Sequence, residues 1–366
     1  MFIAIGIVFL LIYAALVFYI GWSGWSFLKP AISKRFKLLY ILLISFLAIS
    51  FILGRFFSTQ IILQIIGAYW LALFSLLLLL LPVAHLIIWL FSLTRLPRQG
   101  IKKTIGILLL TALIGIIGFG SFSAYSPVVR PYAIMINKPA QVEQPLNIVV
   151  ASDMHFGILS GKNHAQRMVN MINELKPDLV LFPGDIIDDQ LAPVIDQDIP
   201  AILANIESTY GVYASLGNHD KTREGLAELI SVIESSNINV LYDEVTLIED
   251  QFYIIGRKDH SDKARIELSE LTEGLDHTKP IIAMDHQPKD LGIAADHGID
   301  LILSGHTHRG QIAPAHLITQ RLFENDWGYL RKNDMHSIVS SGYGFWGPPI
   351  RIGSRSEIVQ IHVTFE

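Results

Sequence analysis

The chain has 366 residues, 51% of them hydrophobic and 17% charged, with no cysteine, and its mean hydropathy of +0.43 argues against a purely soluble globular protein. All 33 acidic residues lie at or beyond Glu143, whereas nine of the 28 Lys and Arg precede residue 125; the two halves are different kinds of molecule, and a net-acidic second half excludes nucleic acid as the main partner. Without cysteine there is no disulfide, thiolate ligand or Cys nucleophile.

Uncharged apolar runs cover residues 1–28, 38–54, 56–94 and 104–129. Crossing a bilayer core takes roughly 20 apolar helical residues, so these runs predict an all-α bundle of four transmembrane helices. The third run is long enough to fold as two spans around Pro82, and the basic residues arbitrate. Lys29, Lys34, Arg35 and Lys37 fill the first loop and Arg95, Arg98, Lys102 and Lys103 the third, while the second holds only Arg55. The positive-inside rule then places loops one and three in the cytoplasm, which four spans satisfy and five do not. The polar start of the third run (Ser58, Thr59, Gln60, Gln64) predicts one tilted span over about residues 65–91. Both chain ends, and with them the second half, are expected outside the cytoplasm of a multi-pass inner-membrane protein. Residues 1–22 lack the basic start and small-residue cleavage site of a signal peptide. His85 is the lone ionisable residue other than tyrosine inside a proposed span; it reads as a functional candidate or as a neutral group bonded between helices.

After the helical region of residues 1–124, a stretch with Pro127, Pro131, Pro139 and Pro145 reads as a linker over 125–145. Residues 146–366 then alternate short apolar runs with amphipathic stretches, the pattern of an α/β domain. Strands are expected at 146–151, 179–182, 212–216, 252–255, 281–283, 301–303, 337–340 and 358–363, and helices include 163–175 and 223–235.

Five of these runs end in polar clusters: Asp153-Met154-His155; Gly184-Asp185 with Asp188; Gly217-Asn218-His219-Asp220; Asp285-His286; and Gly305-His306-Thr307-His308. Ligands of α/β sheets bind beyond the carboxyl ends of strands, so five such ends can converge on one point. Their donors are carboxylate, imidazole and amide, a mixture suited to Mn, Fe or Zn rather than to an all-oxygen Ca or Mg site.

In order and spacing these motifs resemble those of the calcineurin-like metallophosphoesterases. The tail from Gly342-Tyr343-Gly344 through Pro348-Pro349-Ile350-Arg351 to Glu357 is similar to the end of that family's membrane-associated branch. The resemblance implies a four-layer αββα sandwich carrying two divalent metal ions, most simply Mn, with Zn or Fe as alternatives. It implies that Asp153, His155 and His308 hold one metal, that Asn218, His286 and His306 hold the other, and that Asp185 bridges them. His219 is left for catalysis, with Asp220 as its orienting partner; Asp188 is a candidate support behind the ligands, and Arg309 stands where many relatives have glycine. Arg309, Arg351 and Trp346 are candidate substrate contacts, each also explicable as a surface residue. The remaining histidines, His164 among them, read as surface or packing residues.

The expected reaction is hydrolysis of a phosphoester. Four spans exceed what an anchor needs, which points to a membrane lipid as partner and a phosphate-bearing envelope lipid as substrate. Phosphoethanolamine on lipid A or a phospholipid, and a polyprenyl phosphate, are examples. The alternatives are a pyrophosphate hydrolase acting on a UDP-diacylglucosamine and, from another class, a non-catalytic membrane sensor of phosphorylated ligands. No obligate protein partner is expected.

Overall fold

Four long helices occupy the apolar runs: α1 (Phe2–Leu28), α2 (Lys37–Phe56), α3 (Ile61–Phe91) and α4 (Arg98–Tyr125). The computed structural model describes residues 2–56, 60–94, 97–142, 145–222 and 225–366. Among these, four helices are long and apolar enough to cross a membrane. α3 starts at Ile61, earlier than the polar residues suggested, and runs unbroken through Pro82, so one span accounts for the whole segment. Ser58, Thr59 and Arg95 lie outside the described residues. The helices touch through small residues, because lipid offers apolar side chains no reason to cluster. A Cβ on Gly67 would come within 2.8 Å of the Phe51 backbone, which is how closely α3 meets α2. Buried Trp70 donates through Nε1 to the Tyr13 hydroxyl at 2.8 Å, and Tyr13 donates in turn to the Ala48 carbonyl at 2.9 Å. His85 stands among the rings of Tyr19, Trp22 and Phe27 at 5.7–6.0 Å.

The chain divides into this helical unit (residues 1–121, with 347–349) and an α/β unit (122–346 and 350–366). The α/β unit contains twelve strands: β1 (Val128–Ile136), β2 (Leu146–Val150), β3 (Leu179–Pro183), β4 (Val212–Ser215), β5 (Ile238–Val240), β6 (Glu244–Ile248), β7 (Phe252–Gly256), β8 (Ile281–Met284), β9 (Leu301–Ser304), β10 (Gly328–Lys332), β11 (Met335–Val339) and β12 (Glu357–Phe365). Seven short helices connect them: α5 (Lys162–Glu174), α6 (Ala192–Asp196), α7 (Ile199–Leu203), α8 (Leu226–Glu234), α9 (Leu268–Thr272), α10 (Leu291–Asp296) and α11 (His316–Leu322).

Two six-stranded mixed sheets form, in the orders β1-β12-β2-β3-β4-β5 and β10-β11-β9-β8-β7-β6. Their inner faces share one core: Ile148, Val150, Leu179 and Leu181 from the first sheet pack with Phe252, Ile254, Ile282, Leu301 and Ile338 from the second. Alternate residues turn the other way, as a period of two requires. Val149, Val180 and Ala214 pack under α5 and α8, and Ile255, Ala283 and Ile302 pack with α9 and α10. The result is the expected αββα layering, and strands covered on both faces explain why they read as continuous apolar runs.

The segment read as a linker holds a strand instead. β1 pairs in parallel with β12 along its whole length, from Val128 opposite Glu357 to Ile136 opposite Phe365. Pro131 lacks a donor, which an edge strand tolerates, and β1 is the sheet's edge.

Candidate active site

The carboxyl ends of β2, β3, β4, β8 and β9 deliver all seven candidate ligands to one rim. Asp153, His155 and His308 have ligand atoms within 4.8 Å of one another, as do Asp153, Asp185 and His286. Asp185 Oδ2 lies between the groups, 3.1 Å from His286 Nε2 and 3.7 Å from His155 Nε2. Asn218 Oδ1 and His306 Nδ1 face each other at 2.9 Å, and the His306 ring stands 5.2 Å from that of His286.

The backbone is strained to do this. Asp153, His155, Asp185, His306 and His308 all have φ between 46° and 69°, a left-handed conformation that non-glycine residues adopt at a cost of about 1–3 kcal/mol when held there. Each chain turns sharply just past its strand, so the side chain points along the sheet axis into the site. The glycines of the motifs make room: a Cβ on Gly217 would lie 2.1 Å from Asp185 Oδ1, and one on Gly305 would lie 2.1 Å from Asp153 Oδ2.

Supporting bonds fix each ligand. The Ser152 hydroxyl donates to Asp153 Oδ2 at 2.7 Å, and the His306 N–H donates to Asp153 Oδ1 at 2.9 Å. The His219 N–H donates to Asp185 Oδ1 at 2.8 Å. His286 Nδ1 donates to the Pro183 carbonyl at 2.9 Å, which leaves Nε2 facing Asp185. That pair is close but out of line for a hydrogen bond: His286 Nε2 and His155 Nδ1 are buried without a hydrogen-bond partner.

Burial would push the Asp185 carboxyl up, but the charges of His286, His155 and His219 hold it well below the carboxylate range. Burial likewise disfavours protonated His286, yet Asp185 raises it to about 10. His306 is lowered to about 4 by burial and by the charge on His286. His308 falls well below its ordinary value through burial, His155 and the Arg351 cation. An ionised carboxylate among imidazoles, two of which (His306 and His308) burial holds neutral, with the buried His286 Nε2 and His155 Nδ1 left unbonded, is a donor set suited to divalent cations.

His219 sits beside the ligands, its ring 5.1 Å from that of His155. Its Nδ1 meets Asp189 Oδ1 at 3.0 Å. Burial opposes protonation, but the hydrogen bond to Asp189 and the charge of Asp185 outweigh it and raise its pKa. The expected partner Asp220 is elsewhere: its carboxylate accepts from the Ile187 N–H at 2.9 Å and the Gly217 N–H at 2.8 Å, tying the ends of β3 and β4 together. Burial and neighbouring Asp185 push Asp220 up to about 7. Asp188 Oδ1 lies 3.7 Å from His155 Nδ1, behind that ligand.

Arg351 lies further from its expected place. It is neither a surface charge nor a substrate contact, being 0% exposed. Its Nη2 donates to the carbonyls of Ser341 at 2.6 Å and Gly344 at 2.7 Å, and approaches His308 Nδ1 at 3.1 Å. Both Nη2 hydrogens are used on the carbonyls, so the guanidinium acts on His308 as a neighbouring charge. Arg309 has φ 50°, a left-handed conformation that favours glycine, and its guanidinium lies 3.8 Å over the Trp327 ring. Trp346 is 52% exposed, with its ring 5.6 Å from that of His219. Adjacent Phe345 is buried against Tyr125.

Two supporting contacts were not visible in the sequence. Asp285, buried just before His286, is gripped by Arg265 through two bonds of 2.9 and 2.5 Å. Gln311, at a φ of 51°, accepts from the Trp346 N–H and donates to the Trp346 carbonyl, both at 2.9 Å. Neither partner is close in sequence, so nothing local signals the contact.

Comparison with known proteins gives the same picture. The family model for calcineurin-like phosphoesterases matches residues 146–310. A metallophosphoesterase of Helicobacter pylori is 30% identical over 273 residues, 73% of this chain and 72% of that protein. A Danio rerio transmembrane protein with metallophosphoesterase domain is 31% identical over 277 residues, 71% of this chain and 62% of the other. A Bos taurus protein of the same description is 27% identical over 288 residues, 74% and 64%.

Proposed function

This chain belongs to the calcineurin-like phosphoesterase family and is a metal-dependent phosphoric ester hydrolase with helices able to span a membrane, and on that premise we propose that its substrate is a phosphate-bearing lipid of the cell envelope. The observation that carries this reading is Trp346, a half-exposed indole whose ring stands 5.6 Å from that of His219, in a chain that also has four helices able to span a membrane. An indole at a catalytic mouth suits an ester whose alcohol or neighbouring part is apolar. The skew of basic residues toward loops one and three supports an extracytoplasmic, periplasmic catalytic unit. That orientation favours finished envelope lipids over UDP-linked precursors, which are kept inside.

Asp153, His155 and His308 would hold one metal and Asn218, His286 and His306 the second, with Asp185 between; the mixed oxygen and nitrogen donors suit Mn, with Fe or Zn as alternatives. When bound, such a pair supplies charge neutralisation at the phosphoryl oxygens and an acidified water for attack on phosphorus. The protein's own part is positional. Asp189 accepts from His219 Nδ1–H and, with Asp185, favours the imidazolium, whose second N–H, at Nε2, can give the departing oxygen its proton; a general acid of this kind contributes roughly 10²- to 10⁴-fold. Asp185 is held by the His219 N–H, so one peptide unit couples the central carboxylate to the acid. Trp346 limits how the His219 ring can turn and shields that side from water.

The test uses full-length protein in detergent with added Mn, assayed on an aryl phosphodiester, on lipid A and phospholipids bearing phosphoethanolamine, and on polyprenyl phosphate. Hydrolysis of the lipids at low micromolar concentration is expected. Hydrolysis of the aryl ester alone, or preference for a UDP-linked diacylglucosamine, would overturn the lipid reading or replace it with the precursor.

A further inference from the structure

The turn that bears His306 and His308 leads into α11, whose residues are none of them buried. Leu317, Ile318 and Leu322 are 54%, 61% and 71% exposed. At about 100° per residue they fall within one 140° arc of the helix, with Arg321 between them. Other exposed aliphatic residues of the α/β unit, such as Ile195, Leu247 and Ile293, are scattered singly. A seven-residue helix does not hold itself together, so its position comes from its contacts. The Thr319 hydroxyl donates to Asp326 Oδ2 at 2.7 Å, and the Thr307 hydroxyl donates to the Asp326 carbonyl at 2.6 Å, which joins α11 to the ligand turn. Phe323, just past the helix, stands 5.9 Å from the His306 ring. On the other side of the same turn, Gln311 clamps the backbone of exposed Trp346. Exposed apolar groups therefore flank the catalytic mouth on a frame it shares with two ligands.

We propose that this rim is a lipid-docking surface, on which α11 sets Leu317, Ile318 and Leu322 at the level of the acyl chains and Arg321 among headgroup phosphates. The occupant is a bilayer because the same chain has four helices long and apolar enough to span one, and because a cation set among aliphatic side chains matches the chemistry of an anionic interface. Docking here orients the catalytic mouth toward headgroups. It goes beyond the lipid-substrate reading, and the two can fail separately.

The absence of cysteine makes the test direct. Single cysteines are placed by Leu317→Cys, Ile318→Cys and Leu322→Cys, with Leu247→Cys and Ile293→Cys as controls, in full-length protein labelled with a polarity-sensitive fluorophore. The proteins are reconstituted in phosphatidylethanolamine–phosphatidylglycerol vesicles with and without nitroxide-labelled lipid. Blue-shifted emission, quenched about two-fold or more at the α11 sites and not at the controls, is expected for side chains in the interface. Water-like, unquenched emission at all five sites overturns the proposal, as does protection of α11 by a second copy detected through crosslinking between α11 cysteines. The triple variant Leu317→Gln, Ile318→Gln, Leu322→Gln should lose about five-fold or more in kcat/KM on vesicle lipid while keeping aryl ester hydrolysis within about two-fold. Quenching without lipid hydrolysis by the parent protein leaves the docking surface standing and removes the lipid substrate.

Discussion

His219 Nδ1 and Asp189 Oδ1 lie 3.0 Å apart across the end of the two loops that follow β3 and β4. The contact occupies Nδ1–H, and because Asp189 and Asp185 favour the imidazolium, the Nε2–H is left for the substrate. Asp189→Asn should retain both metals and lose about ten-fold or more in kcat, while His219→Ala should lose about 10²- to 10⁴-fold. Elemental analysis beside kcat separates these outcomes from metal loss. Unchanged turnover in His219→Ala removes it from the chemistry.

Asp185→Ala should do worse than either, because it removes the carboxylate between the two ligand groups. Metal content should fall by about half or more together with turnover, since metal sites couple ligand loss to affinity. A variant that keeps both metals at parent levels would show that Asp185 is not shared.

Arg351 is predicted to act through the fold. Arg351→Met strips its partners from the Ser341 and Gly344 carbonyls and takes a charge from beside His308, and the loss of a buried hydrogen-bonded cation typically costs about 3–5 kcal/mol. Arg351→Lys should recover little, because an ammonium cannot reproduce the fork. Thermal unfolding followed by fluorescence tests this; a parent-like midpoint in Arg351→Met would mean that the bonds contribute nothing.

A pH effect is expected from His164, which stacks on Tyr343 and is pushed down to about 4 by burial. The unfolded chain accepts this proton near the ordinary 6.5, the folded one only near 4. The contribution is therefore complete above about pH 6.5 and is lost as pH falls toward 4, by up to roughly 3 kcal/mol. His164→Phe should lose less melting temperature than the parent between pH 7 and pH 5. Parallel curves would contradict it.

The ligands could be read from the sequence because they sit at strand ends, where a short apolar run stops at an Asp, His or Asn. The eight strands that carry or flank them are buried on both faces and so stand out as apolar runs. β5, β6 and β10 do not: they are short edge or near-edge strands with exposed polar positions, such as Asn239, Glu244 and Arg331. β1 was hidden by Pro131 and by its alternating exposure. Asp189 was a less obvious partner than Asp220 because adjacency in sequence favours Asp220, whereas the partner comes from another loop, 30 residues away. Arg351 could not be placed because a charged residue near a chain end reads as exposed until the carbonyls around it are known.

The pairing of β1 with β12 also sets an order of assembly. β12 lies between β1 and β2, which are synthesised more than two hundred residues earlier. Until residues 357–365 have left the ribosome, β1 and β2 both present open edges, and this sheet, which carries the candidate ligands that follow β2, β3 and β4, lacks the strand that joins β1 to the rest. The helices are made first, so the nascent chain then carries an unfinished sheet, a period in which a chaperone would be most useful. A fragment that begins near Pro145 would lack β1 and leave one edge of β12 without its partner.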